Sequence, residues 1–195
     1  MSKELSEMTL KELWELFPII LEEHNDEYKN WYKHEEENLI NLIGEKDIVR
    51  INHVGSSVVK GLISKPTVDI LLELKSESDF NRISNNISDE GWILMSSQED
   101  PYKSKIFNKG YTKHGFAEKV YHLHMRFAGD WNELYFRDYL IDYKEVAEEY
   151  GQLKLKLLDQ YRNNRDGYTD AKSDFILKHT KDARMKYGSR YKVSN

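Results

Sequence analysis

The composition of the chain limits the classes of protein to which it can belong. The sequence has 195 residues, a formal net charge of −5 at pH 7 and no cysteine. Nucleic-acid binding through a broad basic surface is therefore disfavoured, while disulfides, thiol catalysis and cysteine-ligated zinc are excluded. The first residues lack the apolar core of a signal peptide, and no apolar run approaches the ~20 residues of a membrane span. The composition predicts a cytoplasmic protein that does not enter membranes.

The first half of the chain is predicted to contain helices that alternate with strands. Thr9 and Glu12 form a capping-box pattern, which predicts that a helix begins there, and Gly44 is expected to end the second helix. The predicted elements are a helix from residue 10 to Pro18, a short strand at 19–21, a helix from Asn25 or Asp26 to Ile43, strands at 47–54 and 68–72, a helix at 79–90 and a strand at 92–95.

The second half is predicted to add two strands and then only helices. Alternation over residues 120–127 places His122, His124 and Arg126 on one face of a strand. The predicted elements are a strand at 105–108, a turn at Gly110, the strand at 120–127, a helix from about Asp130, a helix at 143–162, a turn at 163–167 and a helix from Thr169 or Asp170 to about Tyr187. Strands followed by helices predict an α+β fold with a C-terminal helical part.

The connection between the first two long strands contains the densest set of unusual residue choices. Gly55 permits a positive φ and the close approach of a ligand, and the hydroxyls and backbone N–H groups of Ser56 and Ser57 suit a phosphate oxygen. Lys65 is either a phosphate ligand or a solvated lysine. Asp69 interrupts an apolar run, where a carboxylate is costly unless it has a partner, a metal or a catalytic role. These residues predict a phosphate-binding turn followed by an acidic strand, although a glycine-serine turn alone is also an ordinary feature.

A set of motifs spread over most of the chain indicates its relatives. They are His53-Val54-Gly55-Ser56-Ser57-Val58-Val59, Gly61-Leu62, Lys65-Pro66-Thr67-Val68-Asp69-Ile70, the segment from Phe17 to Tyr28, His122-Leu123-His124, Leu134-Tyr135-Phe136-Arg137-Asp138-Tyr139-Leu140, Ala147 to Tyr150, and Tyr168 with Lys172 and Phe175. Together they resemble the GrpB family, which belongs to the nucleotidyltransferase-like superfamily. The resemblance extends over about residues 15–185.

The resemblance implies a fold but no settled reaction. It implies one domain over residues 1–195, with a nucleotidyltransferase-like mixed β-sheet flanked by helices at about 15–129 and C-terminal helices at about 130–187. Some relatives are fused to dephospho-coenzyme A kinase, and in these fusions a folding-accessory role is suggested for the GrpB part. Lys60 stands where the family often has proline, and it adds a charge near the glycine-serine turn.

The acidic strand lacks one of the two acids that active nucleotidyltransferases usually place two residues apart. Leu71 occupies that position. Glu73 lies four residues after Asp69, which is roughly 13 Å along a strand, whereas paired metals sit only ~3.5–4 Å apart. Glu73 is therefore predicted to be a surface charge at the end of the strand.

Two histidines are the candidates to complete the site. Asp69, His122 and His124 would form a three-ligand site with open positions, compatible with Mg²⁺ or Mn²⁺ and also with Zn²⁺, in which a histidine could instead act as a base. Arg126 on the same face would suit a phosphate or a carboxylate. The alternative is that both histidines are hydrogen-bonded sheet residues at the mouth of a cleft.

The sequence leaves two classes of function open. The first is an enzyme that transfers a nucleotidyl group to a small acceptor, with Ser56, Ser57 and Lys65 on the phosphates and Asp69 on a divalent metal. The second is a non-catalytic module that binds a nucleotide, a coenzyme A-like ligand or a protein partner. Tyr168 and Lys172, four residues apart on one helix face, are interpreted as packing residues.

Overall fold

The sheet of the protein is mixed and has five strands. The structure is a computed structural model, and it describes residues 3–193. In spatial order the strands are β1, β2, β5, β4 and β3, and only the β2–β5 pair is parallel. The strands are β1 (Ile48–Val54), β2 (Val68–Leu74), β3 (Ile93–Gln98), β4 (Ser104–Thr112) and β5 (Gly115–Phe127).

Helices flank the sheet and form the whole of the C-terminal part. They are α1 (Leu10–Leu16), α2 (Tyr28–Ile43), α3 (Phe80–Asp89), α4 (Asn132–Asp142), α5 (Lys144–Tyr161), α6 (Arg165–Asp170) and α7 (Ser173–Tyr187), with short 3₁₀ helices at Leu5–Glu7 and Glu45–Asp47. The α+β prediction is confirmed. Within the described residues, no helix is long and apolar enough to cross a membrane.

Alternation along the two central strands divides the sheet into an apolar face and a polar face. Leu123 and Met125 of β5 pack with alternate residues of β2 and with α2 and α3 in the main core. On the opposite face Leu71 packs against Val54 and against Leu134 of α4. Helix α4 therefore covers the polar face at Leu71.

Three local predictions were wrong. Gly110 lies inside β4, where a Cβ would meet the Lys119 carbonyl oxygen at 2.2 Å, so glycine lets the strand bulge against β5 instead of turning. The segment predicted as a turn at 163–167 begins α6, because the Asn164 side chain accepts a hydrogen bond from the Gly167 N–H and caps the helix. The segment 19–21 is no strand; Ile19 is buried in a small core with α5 and α6.

Glu73 is buried, which corrects its assignment as a surface charge. Its side chain is fully buried and receives hydrogen bonds from the Arg50 guanidinium at 2.5 and 2.9 Å. The Gly129 N–H donates a third bond to the same carboxylate at 3.1 Å. Arg50 lies directly opposite Glu73 in the β1–β2 register, so the acid is compensated by a cross-strand partner.

Candidate functional site

The site begins with the pairing of β2 and β5. The parallel register sets Asp69 opposite His122, and Leu71 opposite His124. Both side chains of the first pair point to the polar face, and His122 Nδ1 lies 3.0 Å from Asp69 Oδ1. The Asp69 side chain remains 26% exposed and that of His122 14% exposed, so a solute can reach the carboxylate.

A chain of hydrogen bonds extends from Asp69 to α6. Burial lowers the pKa of His122 against the opposing effect of Asp69, so the ring is neutral and its single N–H donates to Asp69. Its Nε2 then accepts from the Tyr111 hydroxyl at 2.8 Å, and that hydroxyl accepts from the Arg165 guanidinium at 2.8 Å. Arg165, Tyr111, His122 and Asp69 thus form a chain in which every donor is oriented toward the carboxylate.

Asp69 is ionised although its side chain is partly buried. Burial opposes its charge, but the hydrogen bond from His122 and the electrostatic effect of neighbouring groups, Lys65 among them, outweigh burial and lower the pKa of Asp69 to about 2. Burial raises the pKa of Tyr111, which keeps its hydroxyl protonated as a donor. The site therefore presents a fixed negative charge at neutral pH.

The turn after β1 is shaped to receive that carboxylate. Gly55 has φ +76°, and a Cβ there would lie 2.3 Å from Asp69 Oδ2, so only glycine leaves room for the acid. Ser57 is buried and its hydroxyl is bonded to His53 Nε2 at 3.0 Å. Ser56 is half-buried, and its side chain is hydrogen-bonded to the Tyr150 hydroxyl. Burial raises the pKa of Tyr150, and this hydrogen bond opposes the increase. Of the two predicted serines, Ser56 is therefore the one whose hydroxyl is more accessible to a ligand.

The remaining predicted residues are dispersed along β5. His124 keeps a buried Nδ1 that has no hydrogen-bond partner within the described residues, and burial lowers the pKa of its ring. Arg126 is ion-paired with Glu133 at 2.7 Å and stacks 4.7 Å from the centroid of the Trp131 ring. Arg126 therefore binds a carboxylate, which is one of the two roles that the sequence left open. Its register partner on β2 is Glu73, so it lies away from Asp69.

The described residues contain no preformed three-ligand set of the kind that the sequence predicts for a metal. Over residues 3–193, no group of three or more His, Asp or Glu side chains is placed so that it could hold a metal ion. Both nitrogens of His122 are already used by Asp69 and Tyr111. The residues as arranged do not fit the predicted Asp69–His122–His124 site, and a divalent metal at Asp69 stays a prediction.

Four cations surround the site, and three of them were not predicted as ligands. Lys154 of α5 is only 3% exposed and donates to the Ile63 carbonyl. Lys65 and Arg165 line one small cavity, and the Lys172 ammonium lies 4.4 Å from the centroid of the Tyr168 ring. Lys154 lies on the buried face of α5. Its helical spacing from the apolar residues of that face is visible in the sequence and could have identified it as a buried lysine.

These amines lower one another's pKa. Burial is the main cause and neighbouring cations add to it, so the pKa of Lys65 falls to about 8 and the pKa values of Lys154 and Lys172 fall to about 7. Asp69 raises the pKa of both Lys65 and Lys172, whereas Arg165 lowers the pKa of both. Lys172 is thus part of the electrostatic environment of Asp69, beyond the packing role that the sequence indicated.

We expect the free energy of unfolding to rise between pH 7 and pH 9 in a phosphate-free buffer. Unfolded lysines keep a pKa of ~10.4, so in this window the unfolded chain binds more protons than the folded one, and stability increases with pH. Urea titrations at several pH values measure the slope. Lys154→Met should flatten it, whereas Lys156→Met, an exposed change on the same helix, should not. Equal slopes in all three proteins would refute the assignment.

A large open cavity lies elsewhere in the described chain. It is an open groove of about 1420 Å³ between the 58–63 segment and α5, and Lys60 is part of its lining. Neither Asp69 nor His122 lines it. The charge that Lys60 adds therefore faces this groove and not the carboxylate.

Comparison with known proteins identifies the family. The sequence profile of the GrpB family, described as GrpB protein, matches residues 18–182. The chain belongs to the GrpB family. The matched region contains every residue of the site described above, from Gly55 to Lys172, so the resemblance seen in the sequence is confirmed.

Individual GrpB relatives agree with this assignment. The chain is 33% identical over 162 residues to the glutamate-rich protein GrpB of Alkalihalophilus pseudofirmus, covering 81% of this chain and 91% of that protein. It is 26% identical over 156 residues to the protein YqkA of Bacillus subtilis, covering 78% of this chain but only 43% of YqkA. The crystal structure of conserved protein GrpB from Enterococcus faecalis matches with a TM-score of 0.75 at 23% identity, covering 86% of this chain and 99% of that one. This structural likeness shows the shared fold.

Proposed function

We propose that this protein binds a nucleotide or another phosphate-bearing small molecule at the glycine-serine turn beside Asp69. The observation that supports the proposal is the ionised carboxylate of Asp69, which packs directly against the glycine-serine turn. It lies so close that a Cβ on residue 55 would clash with it. A turn of this kind offers backbone N–H groups to phosphate oxygens. The ligand classes that fit include nucleotides and coenzyme A-like molecules, and the role fits a binding or folding-accessory module.

A second candidate is the transfer of a nucleotidyl group to a small acceptor. The hydrogen-bonded pair of Asp69 and His122 favours it, because such pairs occur where chemistry is performed. Asp69 would hold the divalent metal, which would neutralise phosphate charge. Leu71 counts against this candidate: it fills the position of the second acid and is buried against α4.

Thermal shift measurements separate the two candidates. Nucleoside triphosphates and dephospho-coenzyme A would each be added with and without Mg²⁺ or Mn²⁺, to the native protein and to Asp69→Asn. A binding module is expected to be stabilised without metal, and Asp69→Asn should retain that effect. A transferase is expected to need the metal and to lose the effect in Asp69→Asn, with release of pyrophosphate as the second readout.

A control substitution removes an acid far from the turn. Asp159→Asn on the exposed face of α5 changes the net charge equally and should leave every shift unchanged. If no phosphate-bearing compound shifts the melting temperature of the native protein at millimolar concentration, both candidates are wrong.

A further inference from the structure

The four cations around Asp69 have no carboxylate partner in the structure. Among the ion pairs of residues 3–193, Lys65, Lys154, Lys172 and Arg165 do not occur. Arg50, Lys109 and Arg126, by contrast, each pair with an acid. Asp69 supplies one negative charge to the group, which leaves an excess of up to three positive charges.

The clustering is a property of the tertiary fold. Lys65 comes from the β1–β2 connection, Lys154 from α5, Arg165 from α6 and Lys172 from the start of α7. The Lys154 ammonium reaches the Ile63 carbonyl, and Arg165 reaches the Tyr111 hydroxyl that leads to His122. Four separate segments thus converge on one region.

Convergence of unpaired cations, of which Lys154 is buried and the other three are half-buried, is energetically unfavourable in the free protein. A buried charge without a partner destabilises the folded protein or is neutralised by a shift of its pKa. Lys154 is 3% exposed, and within the described chain its only hydrogen-bond acceptor is a backbone carbonyl. A bound polyanion would supply the missing charge and the missing acceptors.

We propose that Lys65, Lys154, Lys172 and Arg165 form the seat for a di- or triphosphate group, with Asp69 at its edge. This deepens the proposed function, and rests on it, by naming the groups that take the phosphates and the ligand class: one with two or more linked phosphates rather than a single one. The cavity shared by Lys65 and Arg165 has a volume of about 20 Å³, close to the space of one water. The anion therefore binds on the open side, where the Asp69 carboxylate is exposed.

Charged and titratable groups face the seat from every element that builds it. They are Asp69 of β2, Tyr111 of β4, His122 and His124 of β5, Tyr150 of α5 and Tyr168 of α6, besides the four cations. Asp69 is the acid among them and it repels a metal-free anion. Removing its charge should therefore strengthen anion binding.

Titration calorimetry with inorganic pyrophosphate at pH 7 and without metal tests the seat. The native protein should bind pyrophosphate and triphosphate more tightly than orthophosphate. Lys154→Met and Lys172→Met should each weaken pyrophosphate binding by about 10-fold or more, since hydrogen bonds to charged groups contribute ~1.5–3 kcal/mol. Lys156→Met is the matched control with the same change of net charge, and it should stay within about twofold.

Two further readouts exclude a merely structural role. Lys154→Met should keep or raise the melting temperature, because an apolar side chain replaces an unpaired buried charge. Asp69→Asn should bind metal-free pyrophosphate several-fold more tightly than the native protein. A loss of pyrophosphate binding that accompanies unfolding of the lysine variants would count against the seat.

The outcomes distinguish this inference from the proposed function. If pyrophosphate does not bind, or if Lys156→Met weakens binding as much as Lys154→Met, the seat is wrong, even where nucleotides still stabilise the protein. If pyrophosphate binds through the lysines but nucleotides and dephospho-coenzyme A cause no thermal shift, the seat stands and the proposed ligand is wrong. Comparison of ATP, ADP and AMP with the inorganic anions shows whether a nucleoside contributes.

Discussion

Replacing Arg50 by methionine is expected to lower the free energy of unfolding by about 3–5 kcal/mol. The substitution would leave the Glu73 carboxylate fully buried with the Gly129 N–H as its remaining partner. It would also remove the bonds from Arg50 to the carbonyl oxygens of Gly129 and Tyr191. Urea unfolding followed by circular dichroism measures the change.

Two comparisons isolate the buried charge as the cause. Arg82→Met breaks an ion pair with Asp47 in which the arginine side chain is 46% exposed, and it should cost at most about 1 kcal/mol. The double variant Arg50→Met/Glu73→Leu removes the stranded carboxylate and should recover a large part of the loss. A cost for Arg50→Met equal to that of Arg82→Met would show that Glu73 does not depend on its partner.

Replacing Gly55 by alanine is expected to damage both stability and ligand binding. Its φ of +76° disfavours any other residue by roughly 1–2 kcal/mol, and the new Cβ would lie 2.3 Å from Asp69 Oδ2 and 3.1 Å from Asp69 Cβ. The carboxylate must then move, which breaks its contact with His122. We expect unfolding to become easier by more than about 2 kcal/mol in total and the nucleotide-dependent thermal shift to disappear.

Gly61 provides a matched control for this experiment. It has φ +79°, and a Cβ there would meet nothing within 4 Å. Gly61→Ala should therefore show only the backbone cost, so the difference between the two variants measures the displacement of Asp69. Adding Asp69→Ala to Gly55→Ala should bring its stability closer to that of Gly61→Ala. Equal effects of Gly55→Ala and Gly61→Ala on stability and binding would contradict the tight fit.

The sequence predicts the elements of the sheet that follow simple alternation. The faces of β5 and the glycine that ends α2 are where the pattern places them, because period and capping are local properties. Gly110 misleads because glycine favours both a turn and a bulge, and only the pairing with Lys119 decides between them. The α6 helix is not predicted because its residues, Arg165-Asp166-Gly167, have the composition of a turn.

The site is predictable only in part, for a related reason. The pairing of Asp69 with His122 follows from two motifs once their strands are neighbours, and the structure makes them neighbours in register. Glu73 and Arg50 lie 23 positions apart, and spacing alone does not reveal that they face each other. The cation cluster is not predicted, since Lys154, Arg165 and Lys172 belong to helices far along the chain, and their convergence depends on tertiary packing.

Lys154 has a consequence for any attempt to redesign this protein. A procedure that optimises only stability would replace this lysine by methionine or leucine early, because the apolar stripe of α5 favours such residues at its position. If the proposed anion seat exists, the product would be a more stable protein that no longer binds its anion. Positions where the natural residue is less stable than its best replacement tend to be kept for function. A saturation screen that selects for heat resistance is thus expected to replace lysines of the proposed anion seat. The replaced positions would identify the seat before its ligand is known.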